Sequence, residues 1–186
     1  METQSDSAVM RLVQAGDSAQ LALLFERYHV PLFRYLLQMT RNRALSEDLT
    51  QEVFFRVLKY ARSYDPGLPF PVWLYGMARH AYFDFLRKQK SEVAGADVSE
   101  TRSTEPMPEE VFARKQDATF LKEALQRLPD GKREVLVLSR FHNLRYEDIA
   151  RILQCEVGTV KVRVYRALRE LREKFCELRG EKLYDV

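Results

Sequence analysis

The chain has 186 residues, of which 46% are hydrophobic and 31% charged, with a formal net charge of +3. That is enough apolar material for one ordinary domain or two small ones, and it excludes a wholly disordered chain. No apolar run approaches the roughly 18 residues that span a bilayer, and Met1-Glu2-Thr3-Gln4-Ser5-Asp6 lacks the basic and apolar regions of a secretion signal, so a cytoplasmic protein is expected.

Only 7 Gly and 7 Pro interrupt long segments rich in Leu, Arg, Glu and Ala. Such segments favour helix, and no pair of alternating strands joined by a hairpin turn is found, so an all-α fold is expected. Asp17 is suited to cap a helix over residues 18–42, where Leu21, Leu24, Phe25, Tyr28, Leu32, Tyr35, Leu36 and Met39 recur at helical spacing. Pro31 predicts a kink or break inside it. Ser46 reads as the cap of a second helix running to about residue 63, with Glu47 and Asp48 in its first turn, where the helix dipole favours anions. Asp65-Pro66-Gly67 is a turn signal, and Pro69 and Pro71 predict extended backbone before a third helix over residues 72–90. Residues 91–108 are polar, acidic and poor in aromatics, which predicts a flexible linker. Helical periodicity resumes near Glu109 and runs to Leu128. Pro129-Asp130-Gly131 breaks it, and three short helices are expected over 133–141, 146–153 and 157–177. The organisation expected is two small helical domains, 1–92 and 118–186, joined by a linker over 93–117.

Charge follows that division. Residues 1–92 carry 12 basic and 10 acidic side chains, residues 93–117 carry 3 and 6, and residues 118–186 carry 15 and 11. A basic C-terminal segment suits a polyanionic partner.

The last helices have the spacing of a helix-turn-helix: residues 146–153, the turn Gln154-Cys155-Glu156, then a helix opening at Val157. Ala150 is small where the two helices cross. At 100° per residue, Val157, Val160, Val164, Ala167, Leu168, Leu171 and Phe175 share one side of the last helix. Val162, Arg166 and Arg169 lie opposite, with Lys161, Arg163 and Tyr165 on the flanks. A recognition helix needs this division, because an apolar face holds it to its domain while Arg and Lys reach phosphates and base edges.

In the second helix, Leu49, Val53, Val57 and Tyr60 share an apolar side, while Asp48, Glu52, Phe55, Lys59 and Arg62 face away. An aromatic among charges on a polar face suggests a protein contact. The third helix combines Phe70, Trp73, Tyr75, Tyr82, Phe83 and Phe85 with Arg79, His80, Arg87, Lys88 and Lys90. Rings can stack on unpaired bases while cations track a backbone, as single-strand binding requires. Trp73 and half of the other rings are expected in the core, and the end from Arg87 to Lys90 at phosphate.

Catalysis is not expected. His29, His80 and His142 have no ligand spacing to Cys155 or Cys176, which read as reduced thiols. There is no GxxxxGK[ST] loop and no GxSxG elbow, so no cofactor or metal is expected. A free-standing helix-turn-helix regulator would account for residues 118–186, yet would leave the second and third helices unexplained.

Two sets of phrases together resemble a known family. Ser46-Glu47-Asp48-Leu49-Thr50-Gln51-Glu52-Val53-Phe54 and Pro71-Val72-Trp73-Leu74-Tyr75-Gly76-Met77-Ala78-Arg79-His80 resemble region two of extracytoplasmic-function (ECF) sigma factors. Leu128-Pro129-Asp130-Gly131-Lys132-Arg133-Glu134-Val135-Leu136, Tyr146-Glu147-Asp148-Ile149-Ala150 and Val157-Gly158-Thr159-Val160-Lys161 resemble their region four. The resemblance implies a protein that binds core RNA polymerase and promoter DNA. It implies that Asp48, Gln51 and Glu52, with Phe55 beside them, grip the clamp helices of the largest catalytic subunit. It implies that residues 63–71 with Arg79 and His80 capture the melted minus-ten element, near Arg87 and Lys88. It implies that Lys161, Val162, Arg163, Tyr165 and Arg166, followed by Arg169, read the minus-thirty-five element as duplex. Residues 91–117 would thread toward the RNA exit path, and an anti-sigma factor, often membrane-bound, would hold the protein inactive. The sequence departs from the family pattern at His80, where Asn is common, at Arg145, Gln154 and Glu156 around the helix-turn-helix, and at Val162, where Ser is common.

Overall fold

The computed structural model describes residues 4–93 and 112–180. Every regular element among them is helical, as expected, and the chain divides into two compact units between residues 102 and 103. The linker expected over 93–117 falls mostly outside the described residues.

The first unit opens with a helix the periodicity did not announce, α1 (Asp6–Gln14), capped by the Ser5 hydroxyl, which accepts from the Ala8 amide. Asp17 is not an α-helical cap. It precedes a single 3-10 turn, Ser18–Gln20, and makes no side-chain bond to the backbone there. Helix α2 (Leu21–Thr40) runs on through Pro31 without a break. Proline removes one rung of the hydrogen-bond ladder, but Leu24, Leu32, Tyr35, Leu36 and Met39 are buried on both sides of it, and their burial holds the helix together.

Helix α3 (Arg43–Lys59) begins three residues before the predicted cap. Asn42 is the cap, its side chain accepting from the Leu45 amide at 3.0 Å. Ser46 lies buried within the helix, its hydroxyl donating to the Asn42 carbonyl at 2.6 Å and lying 2.7 Å from Thr40 Oγ1. Another 3-10 turn, Ala61–Ser63, follows α3, and Tyr60, expected on its apolar side, is exposed. Helix α4 (Phe70–Val93) starts earlier than predicted. Pro71 sits in its first turn rather than in extended backbone, and the Pro69 carbonyl accepts from the Val72 amide. Proline is tolerated there because first-turn amides have no helical acceptor. Helices α2, α3 and α4 pack on one another, with α1 against α2. The Tyr82 hydroxyl donates to the Met39 carbonyl at 3.3 Å, joining α4 to the end of α2.

The second unit contains α5 (Phe112–Gln126), α6 (Asp130–Leu136), α7 (Tyr146–Leu153) and α8 (Val157–Arg179). Pro129 starts α6 rather than merely ending α5. The π-helical turn Val137–Phe141 extends α6, with the His142 amide donating to the Val137 carbonyl at 3.1 Å. Helices α5, α6 and α7 all pack on α8. The core is formed by Leu125, Leu128, Val135, Leu136, Leu138, Ile149, Val160, Val164 and Ala167.

Helix α7 ends at Gln154, which is left-handed with φ 51°. A side chain with a Cβ is strained there, and glycine is not. Replacing Gln154 with Gly should therefore stabilise this unit by about 0.5–1 kcal/mol, read as slower hydrogen exchange of the α7 amides. Unchanged or faster exchange would contradict that assignment of strain.

Candidate nucleic-acid interface

In the second unit, α7 and α8 form the helix-turn-helix. Ile149, Ala150, Ile152 and Leu153 bury one side of α7, and the left-handed Gln154 turns the chain so that the Cys155 amide donates to the Ala150 carbonyl at 3.0 Å. Helix α8 then starts at Val157 with Glu156 at its cap position, which makes no side-chain cap bond. Val160, Val164 and Ala167 are buried. Lys161, Val162, Arg163, Tyr165, Arg166 and Arg169 are all exposed, Val162 by 47% and Tyr165 by 69%. Arg169 pairs with Glu173 at 3.4 Å. Among the described residues, Lys161, Arg163 and Arg166 have no carboxylate partner within the helix or across it, so their charge faces water. Leu168 is more exposed than the projection predicts.

Behind this face the unit is tied by ions. Lys132 on α6 pairs with Glu170 on α8, and the buried Arg133 pairs with Asp130 and donates to Gln126 Oε1 at 3.1 Å.

In the first unit, Leu49, Val53, Phe54 and Val57 are buried on the inner side of α3. Phe54 meets Phe25 edge-on, with ring centroids 4.9 Å apart. The opposite side exposes Asp48, Gln51, Glu52 and Phe55, the last by 62%. On α4 the rings divide between core and surface. Phe70, Tyr75 and Tyr82 are buried, while Phe83, Phe85 and Trp73 are half-buried. Trp73, expected in the core, lies instead at its edge, 5.1 Å from the Tyr64 ring. Burial pushes the Tyr75 hydroxyl pKa up from its ordinary value. The Arg79 guanidinium is half-buried over the Phe83 ring at 4.9 Å. His80, Arg87 and Lys88 are exposed.

The structure joins two of the predicted site residues by a link that sequence reasoning missed. Glu52 accepts from Arg56 at 2.8 Å, Arg56 reaches Asp84 on α4 at 3.1 Å, and Asp84 in turn binds Arg87. The outward face of α3 and the basic end of α4 are thus connected through Arg56 and Asp84. The pairs Glu52–Arg56 and Asp84–Arg87 have helical spacing and could be read in advance. Arg56 and Asp84 are 28 positions apart, and no local pattern announces that contact.

Among the described residues, no group of three or more His, Cys, Asp or Glu could hold a metal, and Cys155 and Cys176 are free thiols. No helix among the described residues is long and apolar enough to cross a membrane.

An exposed cationic recognition helix, preceded in the chain by a helical unit with an aromatic and basic helix, defines a DNA-binding transcription protein. The sigma-70 region 2 model matches residues 24–92, and the sigma-70 region 4 model matches residues 121–171. The chain is 34% identical to the RNA polymerase sigma factor CarQ of Myxococcus xanthus over 170 residues, covering 89% of this chain and 95% of CarQ. It is 29% identical to the ECF RNA polymerase sigma factor SigW of Bacillus subtilis, covering 91% of this chain and 96% of SigW. It is also similar to the solved structure of the sigma factor RpoE of Bartonella quintana in complex with the anti-sigma factor NepR. That match has a TM-score of 0.70 and 26% identity, over 82% of this chain and 94% of RpoE. The chain belongs to the ECF sigma factors of the sigma-70 family, which direct RNA polymerase to promoters. Matches to both regions, in order, favour this over a free-standing helix-turn-helix regulator, which would account for residues 118–186 alone.

Asp84 offers a direct test of the ionic link. Burial would raise its pKa, but the bonds from Arg87 and Arg56 hold it below the ordinary aspartate value of 3.8. A lowered folded-state pKa stabilises the fold above that ordinary value, and the contribution is lost as pH falls through the folded value. At pH 7 the wild type should therefore resist urea better than Asp84→Asn, followed by the fluorescence of the single tryptophan, Trp73. The gap should narrow from about pH 4 downward. A gap that stays constant to pH 2 would contradict the ionic link.

Proposed function

We propose that residues 1–92 bind core polymerase and the minus-ten element, that residues 118–186 bind the minus-thirty-five element, and that residues 93–117 link them. The docking face is Asp48, Gln51, Glu52 and Phe55: two carboxylates and an amide around one exposed ring, a composition suited to a basic and partly apolar partner. Arg79, His80, Arg87 and Lys88, with residues 63–71, hold the melted minus-ten strand by phosphate contact and stacking. Lys161, Val162, Arg163, Tyr165, Arg166 and Arg169 face the minus-thirty-five duplex. The cations neutralise phosphates or pair with guanine, and Val162 offers methyl groups to thymine. The observation that carries this reading is the exposed row of Lys161, Arg163 and Arg166, backed by the buried Val160, Val164 and Ala167.

The chemistry of initiation belongs to the polymerase in this reading, and the sigma chain contributes recognition and strand capture without catalysis or cofactor. It works in the cytoplasm, where polymerase and DNA are. Bartonella quintana RpoE was solved with the anti-sigma factor NepR. A partner of that kind, covering the same faces, would keep this chain from polymerase until a signal releases it.

Run-off transcription with purified core polymerase on a pool of genomic promoters tests the reading. Selective new transcripts are expected only when the chain is present. Arg166→Ala should lower transcription from minus-thirty-five-dependent promoters about tenfold or more while leaving polymerase binding intact. Unchanged transcript levels would remove Arg166 from the reading face. Asp48→Ala combined with Glu52→Ala should weaken core binding about tenfold with helicity unchanged by circular dichroism. A binding constant equal to wild type would refute the docking face.

A further inference from the structure

Helix α1 lies outside the residues 24–92 that the region 2 model matches, yet it is not a loose appendage. Val9, Met10 and Val13 are buried. Asp6 pairs with Arg27 at 2.7 Å and accepts from the Tyr28 hydroxyl, which burial and the Asp6 carboxylate together hold well above its ordinary pKa. These contacts fix α1 on α2.

From that anchored position α1 reaches the segment between α3 and α4. Gln14 Nε2 donates to the Ala61 carbonyl at 3.1 Å and to the Tyr64 carbonyl at 2.8 Å. Both partners are acceptors only, so the amide nitrogen must face them, and its two hydrogens match the two carbonyls. Ser7 Oγ, about two turns away along the helix, lies 3.4 Å from both the Tyr64 hydroxyl and the Pro66 carbonyl.

The segment is itself closely tied. Tyr64 is 3% exposed, its ring against Phe70 and Trp73 and its hydroxyl donating to the Leu68 carbonyl at 2.7 Å. The Gly67 amide donates to Asp65 Oδ1 at 2.8 Å, and the Leu68 amide to the Asp65 carbonyl at 2.9 Å. What remains outward is Arg62, Ser63, Asp65, Pro66, Gly67 and Pro69. The segment is thus held from beneath by α1 and presents its other side to water.

We propose that α1 is a positioning element for promoter capture, with Gln14 and Ser7 setting the backbone path of residues 61–68 before DNA arrives. This rests on the reading of residues 63–71 as the part that takes up the melted minus-ten strand. An irregular segment that had to order itself around an unstacked base would lose that ordering entropy from binding. Here the ordering is completed on folding. Gln14 touches no DNA in this scheme and acts only through the carbonyls it holds.

The test uses the full chain with core polymerase and promoter DNA. A photocrosslinking amino acid, p-benzoylphenylalanine, replaces the exposed Ser63, and labelled nucleotides are mapped alongside promoter opening. In the otherwise native chain, crosslinking to one or two nucleotides of the minus-ten non-template strand is expected. With Gln14→Leu added, the label should spread over neighbouring nucleotides and opening should fall about tenfold, the size of two lost neutral hydrogen bonds, while core affinity is unchanged. Ser7→Ala, a milder change, should move both readouts in the same direction by a smaller factor. If the label stays sharp in both variants, whether or not opening falls, α1 is only a stabilising element and the proposal is overturned while the capture reading stands. If the otherwise native chain gives no minus-ten crosslink at all, the capture reading fails and the proposal fails with it.

Discussion

Helix α3 can offer Asp48, Gln51, Glu52 and Phe55 to a partner only because Leu49, Val53, Phe54 and Val57 are withdrawn from water on its other side. Burying each such side chain contributes roughly 1.5–3 kcal/mol, and helices of this length have little stability of their own in water. The polar face therefore has no rigid existence apart from the packing behind it. The same constraint governs α8, where Val160, Val164 and Ala167 anchor the helix that exposes Lys161, Arg163 and Arg166. In both units the face proposed to bind is the one that packing leaves over.

Charge is used differently in the two units. On α8, Lys161, Arg163 and Arg166 stand without carboxylate partners among the described residues, so none of them must be broken from a pair before meeting phosphate. On α3 and α4, Glu52, Arg56, Asp84 and Arg87 form a continuous chain of opposite charges. Exposed pairs of this type contribute little to stability, typically below 1 kcal/mol each. Their effect is geometric, because they hold Glu52 and Arg87 in fixed relation across two helices. Both α8 and the basic end of α4 approach a polyanion in the proposed reading, so salt should weaken promoter binding more than core docking.

The faces were legible in the sequence because a helical repeat of 3.6 residues is enough to separate buried from exposed positions. Helix α7 matches its predicted span, and the left-handed conformation of Gln154 follows from its place in the turn. The errors have local causes. Asn42 and Ser46 are both capping types four positions apart, and only the fold decides that Asn42 takes the Leu45 amide while Ser46 bonds back to the preceding turn. Propensity alone predicts a break at Pro31 and extended backbone at Pro71, and packing and first-turn position respectively override it. Helix α1 spans only nine residues and depends on its contacts with α2 and the 61–68 segment, which join positions 21 to 59 apart. Pattern reading within a window cannot reach that far, and it missed Arg56 and Asp84 for the same reason.

Pro31 leaves one further mark on the molecule. Lacking an amide proton, it cannot bond the carbonyl four residues earlier, that of Arg27. Arg27 and its neighbour Tyr28 are the two residues of α2 that grip Asp6 on α1. The missing rung of α2 thus lies at the place where α1 is fastened. Because Asp6 grips the residues beside that gap, detaching α1 should ease local opening of α2 there, and the reverse. A small helix at the edge of the fold thus braces the one turn of α2 that Pro31 leaves a hydrogen bond short.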